Sequence, residues 1–150
     1  MPEPVYLVGC GKAKLEEPAP ARDLYTGALF RASLSYAEAL AAGSGRVFIL
    51  SAEYGLVVPG EVLEPYDLHL GALPRAERLA WGERVVRQLV AVAGPVEAAV
   101  VLAGRTYAEA VRHGLSLSGR AVRLDEPLDG VAGVGNRIAW LNRRLAEVQP

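Results

Sequence analysis

The stretch Val5-Tyr6-Leu7-Val8-Gly9-Cys10-Gly11-Lys12-Ala13-Lys14 decides how the rest of the chain is read. Its opening residues are apolar or aromatic without a polar break. Such a run, closed by glycines, predicts a strand buried on both faces, as in a parallel sheet. At Gly9-Cys10-Gly11 the backbone is free to turn sharply and to approach a ligand closely. Lys12 and Lys14 follow at once, and they are the two lysines of a chain with fourteen arginines. Lysine is a compact, flexible point charge where arginine is a planar fork. Its use here predicts a phosphate clamp or a catalytic ammonium. The competing reading is a pair of solvated loop cations. The motif is not a Rossmann fingerprint, since Lys14 stands where the third glycine belongs. It also lacks the spacing and the Ser/Thr of a Walker loop.

Outward from this segment, strand patterns alternate with helical ones. Phe30, Leu34, Ala37 and Ala41 recur at helical spacing over residues 28–42, with Gly43 as the terminal glycine. Residues 46–51 read as a second buried strand. Residues 52–74 form a connection of a length that is usually functional or disordered, and its two tyrosines, aspartate and histidine favour function. Pro74 opens a helix with Leu79, Val86, Leu89 and Val90 on its apolar face, stopped by Gly94-Pro95. Residues 97–102 read as a third strand. Thr106 and Glu109 have capping-box spacing for a short helix ending at Gly114. Residues 120–124 read as a fourth strand. After a turn containing Gly130, Gly133 and Gly135, a last helix points Ile138, Leu141, Leu145 and Val148 inward. Trp81 and Trp140 fall on helices as packing residues. The pattern predicts a single α/β domain over residues 1–150. Its architecture is a three-layer α/β/α sandwich around a mainly parallel four-stranded sheet.

Bulk properties narrow the function. The 150 residues are 51% hydrophobic and 22% charged, which suits an ordered core. No run of about twenty apolar residues is long enough to span a membrane, and the N-terminus does not read as a signal peptide, so a cytoplasmic location is expected. One cysteine, Cys10, and two histidines provide neither an internal disulfide nor a dedicated transition-metal site. No cofactor is expected. A net charge of −1 disfavours sequence-blind binding to long duplex DNA but allows a local basic cleft. Nothing in the sequence sets the oligomeric state.

In open α/β folds, ligands bind beyond the carboxyl ends of the strands, at a switch point in strand order. The loops at those ends begin at Gly9, Ser51, Ala103 and Asp125. Lys12, Lys14, Arg105 and Arg137 fall at or near them. Arg137 in a first helical turn opposes the helix dipole. A bound anion at the Gly133–Gly135 turn removes the conflict, as does a neighbouring Asp125 or Asp129. Asp67 and His69 lie two positions apart, so in an extended segment their side chains point the same way, as acid–base chemistry requires. A plain surface turn is the alternative. Cys10 reads either as a thiol activated by nearby lysines or as a small core residue. Tyr25, Tyr54, Tyr66 and Tyr107 cluster in or beside the same loops, as stacking residues or as loop anchors.

Several segments together resemble a known family. They are 9–14 (Gly-Cys-Gly-Lys-Ala-Lys), 21–31 (Ala-Arg-Asp-Leu-Tyr-Thr-Gly-Ala-Leu-Phe-Arg), 49–56 (Ile-Leu-Ser-Ala-Glu-Tyr-Gly-Leu), 64–70 (Glu-Pro-Tyr-Asp-Leu-His-Leu) and 127–137 (Pro-Leu-Asp-Gly-Val-Ala-Gly-Val-Gly-Asn-Arg). The chain resembles a small domain-of-unknown-function family of bacteria and archaea, distantly similar to YaaA peroxide-stress proteins. That family is also similar to domains of 7-deazaguanine nucleic-acid modification systems. The resemblance implies an α/β domain related to the uracil-DNA-glycosylase type, with the four strands in the order 2-1-3-4. Gly9 and Gly11 stand where a Ser-Cys-Ser-Lys opening has serines, so no hydroxyl is available there.

The expected activity is binding of a nucleotide, a nucleobase or a base within nucleic acid. It extends to hydrolysis or glycosidic cleavage without a metal. Lys12, Asp67 and His69 are the catalytic candidates. Gly9, Cys10, Gly11, Lys14, Ser51, Tyr54, Tyr66, Arg105, Gly133, Gly135 and Arg137 are the binding candidates. The alternative is a non-catalytic nucleotide- or nucleic-acid-binding module of stress response or base modification. In both cases the partner is a phosphate-bearing small molecule or a nucleic-acid base.

Overall fold

The computed structural model describes residues 3–149. Four strands run parallel: β1 (Val5–Gly9), β3 (Val47–Ser51), β6 (Ala98–Leu102) and β7 (Arg123–Asp125). A fifth, β4 (Gly55–Val57), pairs antiparallel with β3. The sheet order is β4-β3-β1-β6-β7. The expected four-stranded sheet is thus corrected to a mixed, mainly parallel five-stranded one. Two further short strands, β2 (Ala19–Pro20) and β5 (Val62–Leu63), form a separate antiparallel pair.

β1 sits in the middle, with Leu7 opposite Phe48 on one side and Val101 on the other. Successive side chains of a strand point to opposite faces. Val5 and Leu7 therefore join Phe48, Leu50, Ala99 and Val101 on one face. Tyr6 and Val8 join Val47 and Ile49 on the other. Each face is covered. The first packs on α3 (Arg75–Ala93) and α4 (Arg105–Leu117) through Trp81, Val85, Leu89, Val111 and Leu115. The second packs on α2 (Ala28–Ala41) through Phe30, Leu34 and Ala37, and on α5 (Val134–Val148) through Leu141. Double coverage is why β1 reads as an unbroken apolar run. A one-turn helix, α1 (Ala21–Leu24), precedes α2.

Several boundaries differ from the sequence reading. α2 ends with Ala42 itself in the left-handed region at φ 48, one residue before Gly43. α4 starts at Arg105, capped by the Gly104 backbone and not by Thr106. It also runs through Gly114 to Leu117. Gly114 is not a stop signal but a crossing point. A Cβ there would lie 2.5 Å from the Gly82 carbonyl oxygen, and one on Gly82 would lie 1.9 Å from the Ala110 carbonyl oxygen. α3 and α4 therefore touch backbone to backbone. The fourth parallel strand begins at Arg123, later than the expected 120. On α5, Leu141 is buried and Ile138 and Leu145 are half-buried, but Val148 is exposed. Val90 on α3 is likewise exposed.

From β1 the chain passes through α2 to β3 on one side. From β3 it returns through the 52–74 connection and α3 to β6 on the other side of β1. The carboxyl ends of β1 and β6 therefore diverge at a switch point in strand order. No helix among the described residues is long and apolar enough to cross a membrane.

Candidate functional site

Two features occupy the carboxyl ends of the strands. The first is a buried cluster of hydroxyls and one thiol. Ser51 ends β3 and is fully buried. Its Oγ accepts the Tyr54 backbone N–H at 3.1 Å and the Tyr25 hydroxyl at 3.0 Å. Both acceptor positions of that oxygen are thereby filled. Its own proton must go to the Tyr66 oxygen, 2.8 Å away. Tyr66 in turn lies 2.8 Å from the Tyr25 hydroxyl and donates there, closing a ring of three hydroxyls. Cys10 lies beside it. Its Sγ is 3.7 Å from the Tyr66 hydroxyl and 3.6 Å from the Tyr107 hydroxyl, and its side chain is 1% exposed. Burial pushes the Tyr25 hydroxyl up to about 12. Burial, and then the neighbouring Cys10, push Tyr66 and Tyr107 upward as well.

Aromatic rings hold the cluster from outside. Tyr54 meets Tyr66 edge-on at 5.6 Å, and its hydroxyl donates to the Glu64 carbonyl at 3.1 Å. Trp81 meets Tyr107 edge-on at 5.3 Å and donates its indole N–H to the Ser51 carbonyl at 3.0 Å. Lys14 Nζ sits 4.5 Å from the centre of the Tyr66 ring and donates to the Lys12 carbonyl at 2.8 Å. Of the two lysines, Lys14 thus covers an aromatic ring, while the Lys12 side chain is exposed.

The second feature is open space at the switch point. A slot of about 200 Å³ is lined by Gly9 and Gly11 from the end of β1, Gly104, Tyr107, and Phe30 and Ser33 of α2. Gly11 adopts φ 79, which a side chain would strain. Ala103 and Leu128 also line the slot, and both line a second cavity of about 350 Å³ as well. That cavity is polar. Arg105, Arg112 and Arg137 line it together with Glu109, Glu126 and Asp129. Arg112 is paired with Glu126, which raises its pKa further. Arg137 donates from Nε to the Val131 carbonyl at 2.8 Å, so its terminal nitrogens have no partner among the described residues.

The candidates thus separate into groups. Cys10, Lys14, Ser51, Tyr54 and Tyr66 belong to the hydroxyl cluster. Gly9 and Gly11 line the slot, and Arg105 and Arg137 line the polar cavity. Tyr107 belongs to both, since its ring borders the slot and its hydroxyl reaches Cys10. Gly133 caps α5 through its backbone and Gly135 lies in that helix's first turn, both outside the lining of the cavity. Asp67 and His69 are exposed, and among the described residues no hydrogen bond or ion pair joins them. Glu109 and Arg112 escaped the sequence reading. Their signal was the spacing of Arg105, Glu109 and Arg112, which places them along one side of a helix. Among the described residues no three His, Cys, Asp or Glu side chains are grouped as metal ligands.

A mainly parallel α/β sheet with helices on both faces and a crevice at its switch point defines the structural class. The chain belongs to a family of unknown function, DUF6884, whose profile matches residues 5–143. No curated protein and no solved structure matches it.

Proposed function

We propose that the chain binds a nucleotide or a nucleobase-bearing ligand at the β1/β6 switch point. The ring enters the slot beside Gly9, Gly11 and Tyr107, and the phosphate meets Arg105 and Arg137. One observation carries this reading: the apolar slot and the arginine-lined cavity share the walls Ala103 and Leu128. Apolar space joined to a convergent set of charges is the usual composition of a small-ligand site. The motif resemblance to YaaA-like proteins and to 7-deazaguanine modification domains points to the same ligand class by analogy alone. A cytoplasmic location suits such a ligand.

Isothermal titration with nucleoside monophosphates, free bases and inorganic phosphate tests the proposal. Ala103→Leu, which fills the slot, abolishes base binding. Arg137→Ala weakens the monophosphate about tenfold or more, as loss of a charge-assisted hydrogen bond does. Equal affinity for inorganic phosphate and for every nucleotide overturns it.

A hydrolytic or glycosidic reading is favoured by one arrangement. Glu109, Glu126 and Asp129 share the cavity with the arginines, and carboxylates beside a bound ligand are the groups that acid–base cleavage uses. In that reading Lys12, Asp67 and His69 add phosphate contact and acid–base chemistry. Full turnover in Asp67→Asn and His69→Ala removes those two from it.

A further inference from the structure

The polar cavity does not end at α4. On the other side of that helix lies a groove of about 450 Å³, lined by Arg75, Arg78, Thr106, Arg112, His113 and Ser116. Glu109 and Arg112 line both spaces, so the two meet over the surface of α4. We propose that this continuous surface is a phosphate track for single-stranded nucleic acid. The proposal rests on the base-binding reading of the slot and names its ligand as a strand in preference to a free nucleotide.

Three observations carry it. First, five arginines border the two spaces: Arg75, Arg78, Arg105, Arg112 and Arg137. The opposing carboxylates are Glu109, Glu126 and Asp129, and Glu126 is already held by Arg112. His113 is engaged by Glu83 at 3.1 Å. Arg75 and Arg105 have no side-chain partner among the described residues, and Arg78 spends one nitrogen on the Leu73 carbonyl at 2.7 Å. The local balance is therefore basic on a chain whose net charge is −1.

Second, four of the arginines lie at helix N-termini, where a cation is electrostatically unfavourable, although Arg78 and Arg137 each hold a loop carbonyl and Glu77 lies in the first turn of α3. Arg75 and Arg78 lie in the first turn of α3, Arg105 begins α4, and Arg137 lies in the first turn of α5. A cation at a helix N-terminus opposes the dipole. α4 and α5 have no acidic residue in that turn and no side-chain cap to compensate. Phosphates lying along this edge satisfy the arginines and the helix ends together.

Third, the adjoining slot selects the kind of polyanion. The carboxylates of an acidic peptide match the arginines but not the apolar slot beside Phe30 and Tyr107, whereas every nucleotide of a strand carries both a phosphate and an unpaired base. A duplex presents no free base without flipping. A mononucleotide seated in the slot with its phosphate at Arg105 and Arg137 leaves Arg75 and Arg78 across α4 without a phosphate. The next nucleotides of a strand supply one.

The test is fluorescence anisotropy with a labelled mixed-sequence single strand of about twelve nucleotides, titrated across salt concentration. It is run on the wild type and on Arg75→Ala/Arg78→Ala, with Arg75→Ala alone as the variant that disturbs no hydrogen bond. Each lost phosphate contact lowers the slope of log affinity against log salt by about 0.7 for a single strand. The double variant is expected to flatten it by about 1.4 while nucleoside monophosphate affinity is unchanged. If monophosphates bind but the strand binds no tighter, or if the slope is unaltered, the track is overturned and the base site stands. If the strand binds with the expected slope change and no monophosphate or base binds, the track stands and the base site falls. Displacement of the strand by polyglutamate at equal charge concentration overturns the assignment to nucleic acid. Failure of every ligand overturns both.

Discussion

Removing the Tyr66 hydroxyl, as Tyr66→Phe, tests whether the hydroxyl ring organises the strand ends. The ring runs from Tyr25 to Ser51 to Tyr66 and back, with oxygen separations of 3.0, 2.8 and 2.8 Å. Phenylalanine keeps the aromatic packing on Tyr54 and Tyr25. It leaves the Ser51 proton without an acceptor, because that oxygen's acceptor positions already hold the Tyr54 N–H and the Tyr25 hydroxyl. A buried donor left unpaired costs about 1–3 kcal/mol. The Tyr25 oxygen also loses the bond it accepts, so about 2–3 kcal/mol is expected in total. For a chain of this size that is a fall in Tm of roughly 4–12 °C. Urea and thermal unfolding measure it. Tyr54→Phe is the control, since it removes only a hydroxyl bonded to the Glu64 carbonyl, and it stays within about 0.5 kcal/mol. Ser51→Ala/Tyr66→Phe removes donor and acceptor together. Its cost falls short of the summed single costs by about 0.5–3 kcal/mol. A Tyr66→Phe protein no weaker than Tyr54→Phe, or a double variant that is simply additive, refutes the ring.

Gly82→Ala places a methyl 1.9 Å from the Ala110 carbonyl oxygen, so α3 and α4 must separate. Even after the gain in helix propensity, the midpoint of urea unfolding should fall by the equivalent of about 2 kcal/mol or more. Gly135→Ala, with nothing within 4 Å of its new methyl, should instead stabilise by about 0.5–1 kcal/mol. Alkaline stability follows from the buried tyrosines. Burial raises Tyr25 in the fold from 10.0 to about 12, which favours the neutral hydroxyl over the phenolate. This contribution is complete below pH 10 and is lost as pH rises toward 12. Phenolate absorbance should therefore report cooperative unfolding in that window; ordinary titration of all six tyrosines in an intact fold contradicts it.

What the sequence made legible and what it hid have separate physical causes. β1, β3 and β6 were readable because burial on both faces demands apolar residues at every position. α2 and α3 were readable from their periodic apolar faces. β4 was not. Its three residues open on a glycine, and their placement depends on Gln88, more than thirty positions away. The Gln88 side chain accepts from the Leu56 N–H at 2.9 Å and donates to the Tyr54 carbonyl at 3.2 Å. Gly114 misled for a related reason. A glycine that ends a helix and a glycine that admits a second helix look alike until the partner, Gly82, is in place. The tyrosines were legible as a group beside the strand ends. Their hydrogen bonds were not, because Tyr25, Ser51 and Tyr66 meet only when three separate segments converge. Glu109 and Arg112 were hidden by ordinariness, as charged residues on a helix are usually solvated.

The Gly-Cys-Gly segment shows how the two features of the site depend on one another. Gly9 and Gly11 line the slot, and Cys10 does not. The Cys10 side chain turns instead under Tyr66 and Tyr107, where it is closed off from solvent. One residue thus anchors the end of β1 to the tyrosine cluster, while its neighbours leave room beside it by having no side chains. The room is narrow. A Cβ on Gly9 would come within 2.9 Å of the Ala103 Cβ, across the gap between the ends of β1 and β6. Ala103 also lines both the slot and the arginine-lined cavity, as Leu128 does. The smallest side chain at position 9 would therefore crowd the slot at its junction with the charges that a phosphate would meet. The segment that fixes the fold as a central buried strand is, through Gly9, Cys10 and Gly11 at and just beyond its end, also the one that keeps the crevice open.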